Sequence, residues 1–324
     1  MNNTRVLAMG LLAAVTAAFA ATSSQATTPG KNGLIVYAQE VRGRYQLFTI
    51  RPDGTGNTQI TRGKGGAFNP DWSSDGKLIA FDYETPPANG SVALISARGT
   101  DFRELEPTGA EPQPTGHVWN GNPAFTPAGR RIVFVRNQGP SDSGVWIMRA
   151  DGSDLRRLTR NPFVRNWDGG DSDPNVSPDG KRVSFVRIKR SDKLQALFTV
   201  RIDGTGLKQL TPYALEVAQK QDWSPDGKLI VLTTNADWAR PKESANLVTI
   251  RPDGSGMTQL TRFTGREENA FAGSFSPDGK QIVFRLERGE RYALAAVDRN
   301  GQNLRLLTRL SKAKPRAIDW GPAR

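Results

Sequence analysis

The chain has 324 residues, of which 37% are apolar and 8% aromatic, a globular composition. It has no cysteine, which excludes disulfides, a cysteine-borne lipid anchor and thiolate metal sites, and its single histidine leaves no zinc site of nitrogen or sulfur ligands. The formal net charge of +12 predicts a basic exterior, which suits nucleic acid, acidic envelope polymers, lipid headgroups or simple solvation.

In chain order, Arg5 precedes an apolar, Ala-rich stretch from Val6 to Ala20. Ala18-Phe19-Ala20 or Ser24-Gln25-Ala26 then offers small residues for cleavage. This is the pattern of a secretory signal peptide, so residues 1–26 are read as a signal and 27–324 as one mature domain. The apolar run is short of the roughly 20 residues of a membrane span. Cleavage leaves no stable span and places the protein in the periplasm or outside the cell; an uncleaved N-terminal anchor is the alternative.

After the leader, Lys31-Asn32-Gly33 opens directly into a predicted strand, Leu34-Ile35-Val36-Tyr37. A second strand, Leu47-Phe48-Thr49-Ile50, leads to the turn Arg51-Pro52-Asp53-Gly54 and a short polar strand, Thr58-Gln59-Ile60-Thr61. Then comes the first copy of a phrase that recurs to the C-terminus. It is Trp72-Ser73-Ser74-Asp75-Gly76-Lys77, and it returns at Phe125, Val176, Trp223 and Phe275 before a truncated copy at Trp320-Gly321-Pro322. The Asp-Gly phrase also recurs, at Asp151-Gly152, Asp203-Gly204, Asp253-Gly254 and Asn300-Gly301, with a weaker copy at Arg98-Gly99. Most copies end in a Leu-Thr pair: Leu158-Thr159, Leu210-Thr211, Leu260-Thr261 and Leu307-Thr308.

Asp-Gly and Asn-Gly between apolar runs are hairpin turns, because glycine supplies the positive φ of a tight turn. Each copy therefore predicts four antiparallel strands, and a repeat near fifty residues predicts a propeller, solenoid or array. The orphan strand Arg316-Ala317-Ile318-Asp319-Trp320 completes the first copy, which lacks its own inner strand. The expectation is an all-β, six-bladed β-propeller, four antiparallel strands per blade, closed by N- and C-terminal strands that share one blade. The Asp before the anchor (Asp71, Asp222 and Asp319, with Asn175 in one copy) reads as a local Asx-type hydrogen-bond device.

Trp223-Ser224-Pro225-Asp226-Gly227-Lys228 and Asp253-Gly254-Ser255-Gly256-Met257-Thr258-Gln259-Leu260-Thr261 resemble, almost letter for letter, the TolB-type WD40-like (PD40) repeat. The resemblance covers essentially the whole mature chain and implies the propeller without the small α/β domain that precedes it in TolB proteins. The same repeat is similar to the propellers of prolyl-oligopeptidase-type hydrolases and of some polysaccharide lyases. The lyases hold a metal on clustered histidines, which this chain lacks.

No catalytic constellation is visible. His117 would have to serve any Ser-His-Asp triad, and no Gly-x-Ser-x-Gly elbow lies on a strand-turn-helix unit. Asp168, Asp171 and Asp173 on a Gly-rich loop could supply oxygen ligands to a calcium ion, or form a simple loop. No metal and no cofactor are expected, and export with no recognisable binding module argues against nucleic acid.

Loops on a rigid scaffold carry binding. Residues three places before each anchor (Asn69, Asn122, Asp173, Lys220, Ala272 and Ala317) should lie near the channel mouth. The long segments 106–121 and 160–172 depart from the repeat. The binding candidates are Asn69, His117, Trp119, Asn122, Asp173 and Lys220. The functional expectation is an exported, monomeric, non-catalytic scaffold for a protein or envelope polymer. The alternatives are a glycan-active lyase or hydrolase, or a detached propeller that gates a peptidase.

Overall fold

The computed structural model describes residues 29–85, 89–109, 118–139, 142–162, 170–189, 194–234, 244–265 and 267–324. The leader 1–26, His117 and Asp168 lie outside the described residues. The remainder forms six four-stranded antiparallel sheets, and the one helix among the described residues is a single 3-10 turn, Tyr213–Leu215. No helix there is long and apolar enough to cross a membrane.

Each sheet is one blade. The inner strands of blades 1 to 6 are Arg316–Pro322, Gly66–Trp72, Trp119–Phe125, Gly170–Val176, Asp222–Trp223 and Glu268–Phe275. Each touches the next around the ring, and that of blade 6 touches that of blade 1. Blade 1 is built from both termini: Arg316–Pro322 pairs antiparallel with Asn32–Val41, in register Ile35↔Trp320 and Val36↔Asp319. Trp320 Nε1 donates to Gly33 O (3.2 Å) and Ala323 N to Lys31 O (2.8 Å).

The recurring phrases are turn chemistry. In Ser-Pro-Asp-Gly-Lys the serine hydroxyl donates to the aspartate, as Ser224 Oγ does to Asp226 Oδ1 (2.6 Å). That carboxylate accepts Lys228 N–H, and Leu229 N donates back to Ser224 Oγ (2.9 Å). The same closure recurs at Ser73, Ser177 and Ser276. The threonine of Leu-Thr extends the sheet by one side chain: Leu47, Val145, Leu197, Leu247 and Leu294 donate their N–H to Thr61, Thr159, Thr211, Thr261 and Thr308 at 2.8–3.0 Å. Outer strands are only two residues long in five blades, as at Thr58–Gln59, which leaves little edge for another chain to pair with.

The core lies between the blades. The buried apolar residues fall into six clusters, each drawn from two adjacent blades. One joins Val133, Ile147 and Leu158 of blade 3 to Val183, Phe185 and Phe198 of blade 4. Another joins Val283 and Leu294 of blade 6 to Ile35, Tyr37 and Trp320 of blade 1. All six anchors are buried.

The second-phrase glycines also seal these interfaces. Gly54, Gly99, Gly152, Gly204, Gly254 and Gly301 take φ of 80–94° and press on a backbone carbonyl of the preceding blade. A Cβ at Gly54 would lie 2.1 Å from Leu307 O, whereas one at Gly227 would meet nothing closer than Pro178 Cδ at 3.9 Å.

Two outcomes follow from this packing. Removing residues 314–324 exposes the second strand of blade 1 and one half of two interfaces, so soluble monomer should be lost or dimers should form through the open edge. A truncated chain that stays monomeric with an unchanged melting temperature would contradict the closure. In urea melts, Gly227→Ala should cost about 1–2 kcal/mol for its positive φ alone. Gly54→Ala should cost about 2–5 kcal/mol, because it adds a backbone clash. Equal costs would show that the interface carbonyl yields freely.

Candidate functional site: the mouth of the central channel

The inner strands share a kink. Their pairing slips by a residue or more at Phe68/Asp71, Gly121/Ala124, Ser172/Asn175 and Ala272/Ser274, each a β-bulge. Asn69, Asn122, Asp173 and Ala317 take left-handed φ of 45–50° at this point. Three of them precede a proline, which further narrows their allowed backbone. Asn and Asp accept this conformation readily, whereas Ala317 bears a cost of about 1–2 kcal/mol that the surrounding structure must offset.

The bulges bring the expected positions together. Asn69, Asp173, Lys220 and Ala317 line one cavity of about 100 Å³, with Phe68, Phe271, Arg285 and Arg316. A narrower space below it, about 10 Å³, is lined by Asn69, Asp71, Asn122, Asp173, Asn175 and Lys220. Between them the two spaces draw on all six blades, which marks the central channel. Trp119 lines neither space. It lies in an inner strand, where its ring packs so closely that a Cβ at Gly90 or Gly121 would meet it at 2.1–2.2 Å.

The carboxylates below the mouth join blades, which goes beyond the local Asx-type device expected; Asp222 does both, since its Oδ1 also accepts Trp223 N–H (2.8 Å). Asp319 Oδ2 of blade 1 accepts Trp72 N–H of blade 2 (2.8 Å), and Asp71 Oδ2 of blade 2 accepts Phe125 N–H of blade 3 (2.7 Å). Asp222 Oδ2 of blade 5 accepts Phe275 N–H (2.8 Å) and Ser274 Oγ (2.9 Å) of blade 6. Asn175 Nδ2 of blade 4 donates to Asp222 Oδ1 (3.0 Å). Each aspartate satisfies the anchor amide of the next blade, a donor that points to the open side of the inner strand, away from the ladder.

Burial dominates the electrostatics. It pushes Asp173 and Asp222 up to about 6 and Asp71 well above the usual carboxylate range, helped at Asp71 and Asp222 by the Asp319 charge. Burial alone would depress Lys220, but Asp319, Asp71, Asp173 and Asp222 together outweigh it and raise the ammonium. Lys220 is thus the cation of a ring of carboxylates.

Two mouth features escaped the reading of single phrases. Asp82 and Arg285 occupy the strand position held by Ala38, Val135, Val186 and Thr233 in the other blades. Asp82 is buried and raised well above its ordinary range by desolvation; it accepts Asn69 Nδ2 (2.7 Å) and the Asn122 amide, and so fixes two bulges. Arg285 lies over Phe271 at 4.2 Å and pairs with Glu287 (2.8 Å); burial lowers it to about 10. A charge at a strand position that is uncharged in the other four blades was the available signal.

Of the acidic segment, Asp171 and Asp173 are described, and they part company. Asp171 is buried in a bidentate pair with Arg187 (2.7 and 2.9 Å) and accepts Thr159 Oγ1 and Asn161 Nδ2, while Asp173 faces the channel. Among the described residues no group of three or more acidic or histidine side chains forms a metal-ligand cluster.

The raised carboxylates set a sign for pH dependence. A group whose folded pKa lies above its unfolded value binds more protons in the native state. Its contribution to stability is therefore full below the unfolded value near 4 and is lost as pH rises through about 6. Asp173→Asn should flatten the fall in melting temperature between pH 4 and pH 6.5, by up to about 2 kcal/mol of pH-dependent stability. An unchanged pH profile would mean that Asp173 is solvated like a surface carboxylate.

Comparison with known proteins agrees with this architecture. The TolB beta propeller domain family (PD40) matches residues 108–324. Among curated relatives, the chain is 26% identical over 202 residues to "Uncharacterized peptidase YuxL" of Bacillus subtilis. That match covers 50% of this chain and 29% of the relative. It is 30% identical over 167 residues to "Tol-Pal system protein TolB" of Anaeromyxobacter dehalogenans, covering 51% and 35%. The chain thus spans about a third of the length of these relatives. The crystal structure of TolB from Acinetobacter baumannii superposes with a TM-score of 0.67 at 19% identity, over 90% of this chain and 67% of that one, a likeness of fold. The chain belongs to the TolB β-propeller family.

Proposed function

We propose that the protein is an exported, monomeric, non-catalytic scaffold that receives part of a protein or an envelope polymer at the channel mouth, in the periplasm or outside the cell. The carrying observation is the mouth itself. Aromatic, cationic and carboxylate groups from five blades converge on about 100 Å³. That is well below the roughly 300 Å³ of a typical small-molecule site and fits one side chain or chain end. Lys220 and Arg285 are matched by carboxylates, so Arg316 is the group that favours an anion, and Phe68 and Phe271 favour an apolar group. Export rests on the signal pattern of residues 1–26, and the monomer on the very short outer strands. A relative named for the Tol-Pal system is consistent with a role in an assembly.

A second reading is favoured by the match to a protein named as a peptidase: a propeller that gates a peptidase carried on another chain. Affinity capture from envelope fractions distinguishes the two. Asp173→Ala with Lys220→Ala keeps the channel's net charge, so the melting curve should stay close to that of the wild type while capture falls at least about tenfold. Capture that survives the double change would refute the mouth as the site. Turnover of a peptide or polymer by the purified chain would refute the non-catalytic reading, and a peptidase as the captured species would favour the second.

A further inference from the structure

Four cations share one groove on the face that carries the channel mouth. In each blade the connection into the inner strand and the second hairpin lie at the same end of the antiparallel sheet. Arg42 and Arg44 at the hairpin of blade 1, with Arg62 and Lys64 on the connection from blade 1 into the inner strand of blade 2, line an open groove of about 640 Å³. All four are exposed, and none takes part in the ion pairs found among the described residues. Glu40 and Glu84 are in adjoining strands but line neither this groove nor the pocket beside it.

The cations sit on a fixed frame. Arg42 holds a left-handed φ of 51° beside Gly43 at 79°, a hairpin turn in which Asn or Gly would be unstrained. On the other wall, buried Gln46 donates from Nε2 to Gly65 O (3.0 Å) and accepts Thr61 Oγ1 (2.8 Å). Gly65 itself lies against the Tyr83 ring, where a Cβ would meet it at 2.4 Å. Arg62 and Lys64 are thus presented by a pinned loop, which reduces the ordering cost of binding.

The groove ends in an apolar pocket of about 200 Å³ that shares Gln46, Arg62 and Gly63 with it. Phe81, Tyr83 and Phe102 line this pocket. Phe102 is 46% exposed and meets Tyr83 edge-on at 4.9 Å. Phe102 is the aromatic member of a column that reads Asn57, Leu155, Leu207, Met257 and Leu304 in the other blades, and blade 2 departs from the repeat with Glu104-Leu105-Glu106 where the other copies end in Ile-Thr or Leu-Thr.

We propose that the groove and pocket together bind an acidic, extended peptide segment with one aliphatic or aromatic anchor. Its carboxylates pair with the four cations, and its anchor enters the pocket beneath Phe102. Charge complementarity selects an anionic ligand. A concave pocket of about 200 Å³ takes a side chain rather than a lipid chain. Gln59, in the edge strand Thr58–Gln59, also lines the groove between the two pairs of cations. This site shares no lining residue with the channel mouth and stands apart from the function proposed there.

The test is fluorescence anisotropy on the full chain. The probe is a fluorescein-labelled decapeptide of Asp and Glu with one central Leu, set beside a Leu→Gly version and an Asn/Gln version. The acidic Leu peptide should bind, and the neutral one should not. Arg44→Ser, Arg62→Ser and Lys64→Ser together should weaken binding about tenfold or more. Lys181→Ser, Lys228→Ser and Lys280→Ser, on exposed turns of the opposite face, should change it less than about twofold. Phe102→Ser should remove the preference for Leu over Gly. Equal losses in the two triple variants would reduce the site to diffuse charge and overturn the proposal. So would phosphatidylglycerol vesicles bound with the same groove dependence when Leu gives no advantage over Gly.

Discussion

Apolar packing between neighbouring blades is the interaction on which the rest depends. No blade owns a core: each of the six apolar clusters takes residues from two adjacent sheets. A lone four-stranded sheet would expose Phe185 on one face and Val186 on the other, and these belong to different interfaces. The ring must close because an open array leaves two such faces in water. The pairing of Arg316–Pro322 with Asn32–Val41 therefore couples the two ends of the chain to every interface. The glycine contacts repeat the logic in the backbone, with each second turn seated on the blade before it.

The channel is where this packing runs out. Inner strands converge there, and their open edges present amides that a buried site must satisfy. Asp71, Asp222 and Asp319 meet that need by reaching across to the next blade. Gathering carboxylates in a narrow space raises their proton affinity, and Lys220 offsets part of the repulsion. The same crowding places polar groups, held by left-handed backbone, around a mouth open to solvent. Stability and binding capacity thus draw on neighbouring residues: Asp222 holds blades together, while Asp173 and Lys220 face the opening.

Much of the fold was legible because hairpin turns need particular residues at particular offsets. Ser224, Asp226 and Gly227 close one turn through contacts at most five residues apart, so six weak copies in one chain announce themselves. The placement of Asn69, Asp173 and Lys220 followed from the same register. The role of Asp319 was not legible, since its partner Trp72 lies 247 positions away and spacing says nothing about interfaces. Arg285 and Asp82 were legible only by setting the six copies side by side, where a charge stands in an otherwise uncharged column. Trp119 was read as part of a long connection, but the inner strand begins at that residue and its ring packs on two glycines.

Native-state hydrogen exchange tests the central claim, that one closed ring of shared interfaces stabilises all six blades. Amides of the inner and second strands in every blade, those of Arg316–Pro322 included, should exchange only through global unfolding, with a common free energy and a common denaturant dependence. Exchange of the Arg316–Pro322 amides at a markedly lower free energy than those of Arg182–Ile188 would contradict it. Blade 1 would then be a loosely attached end rather than the clasp of the ring.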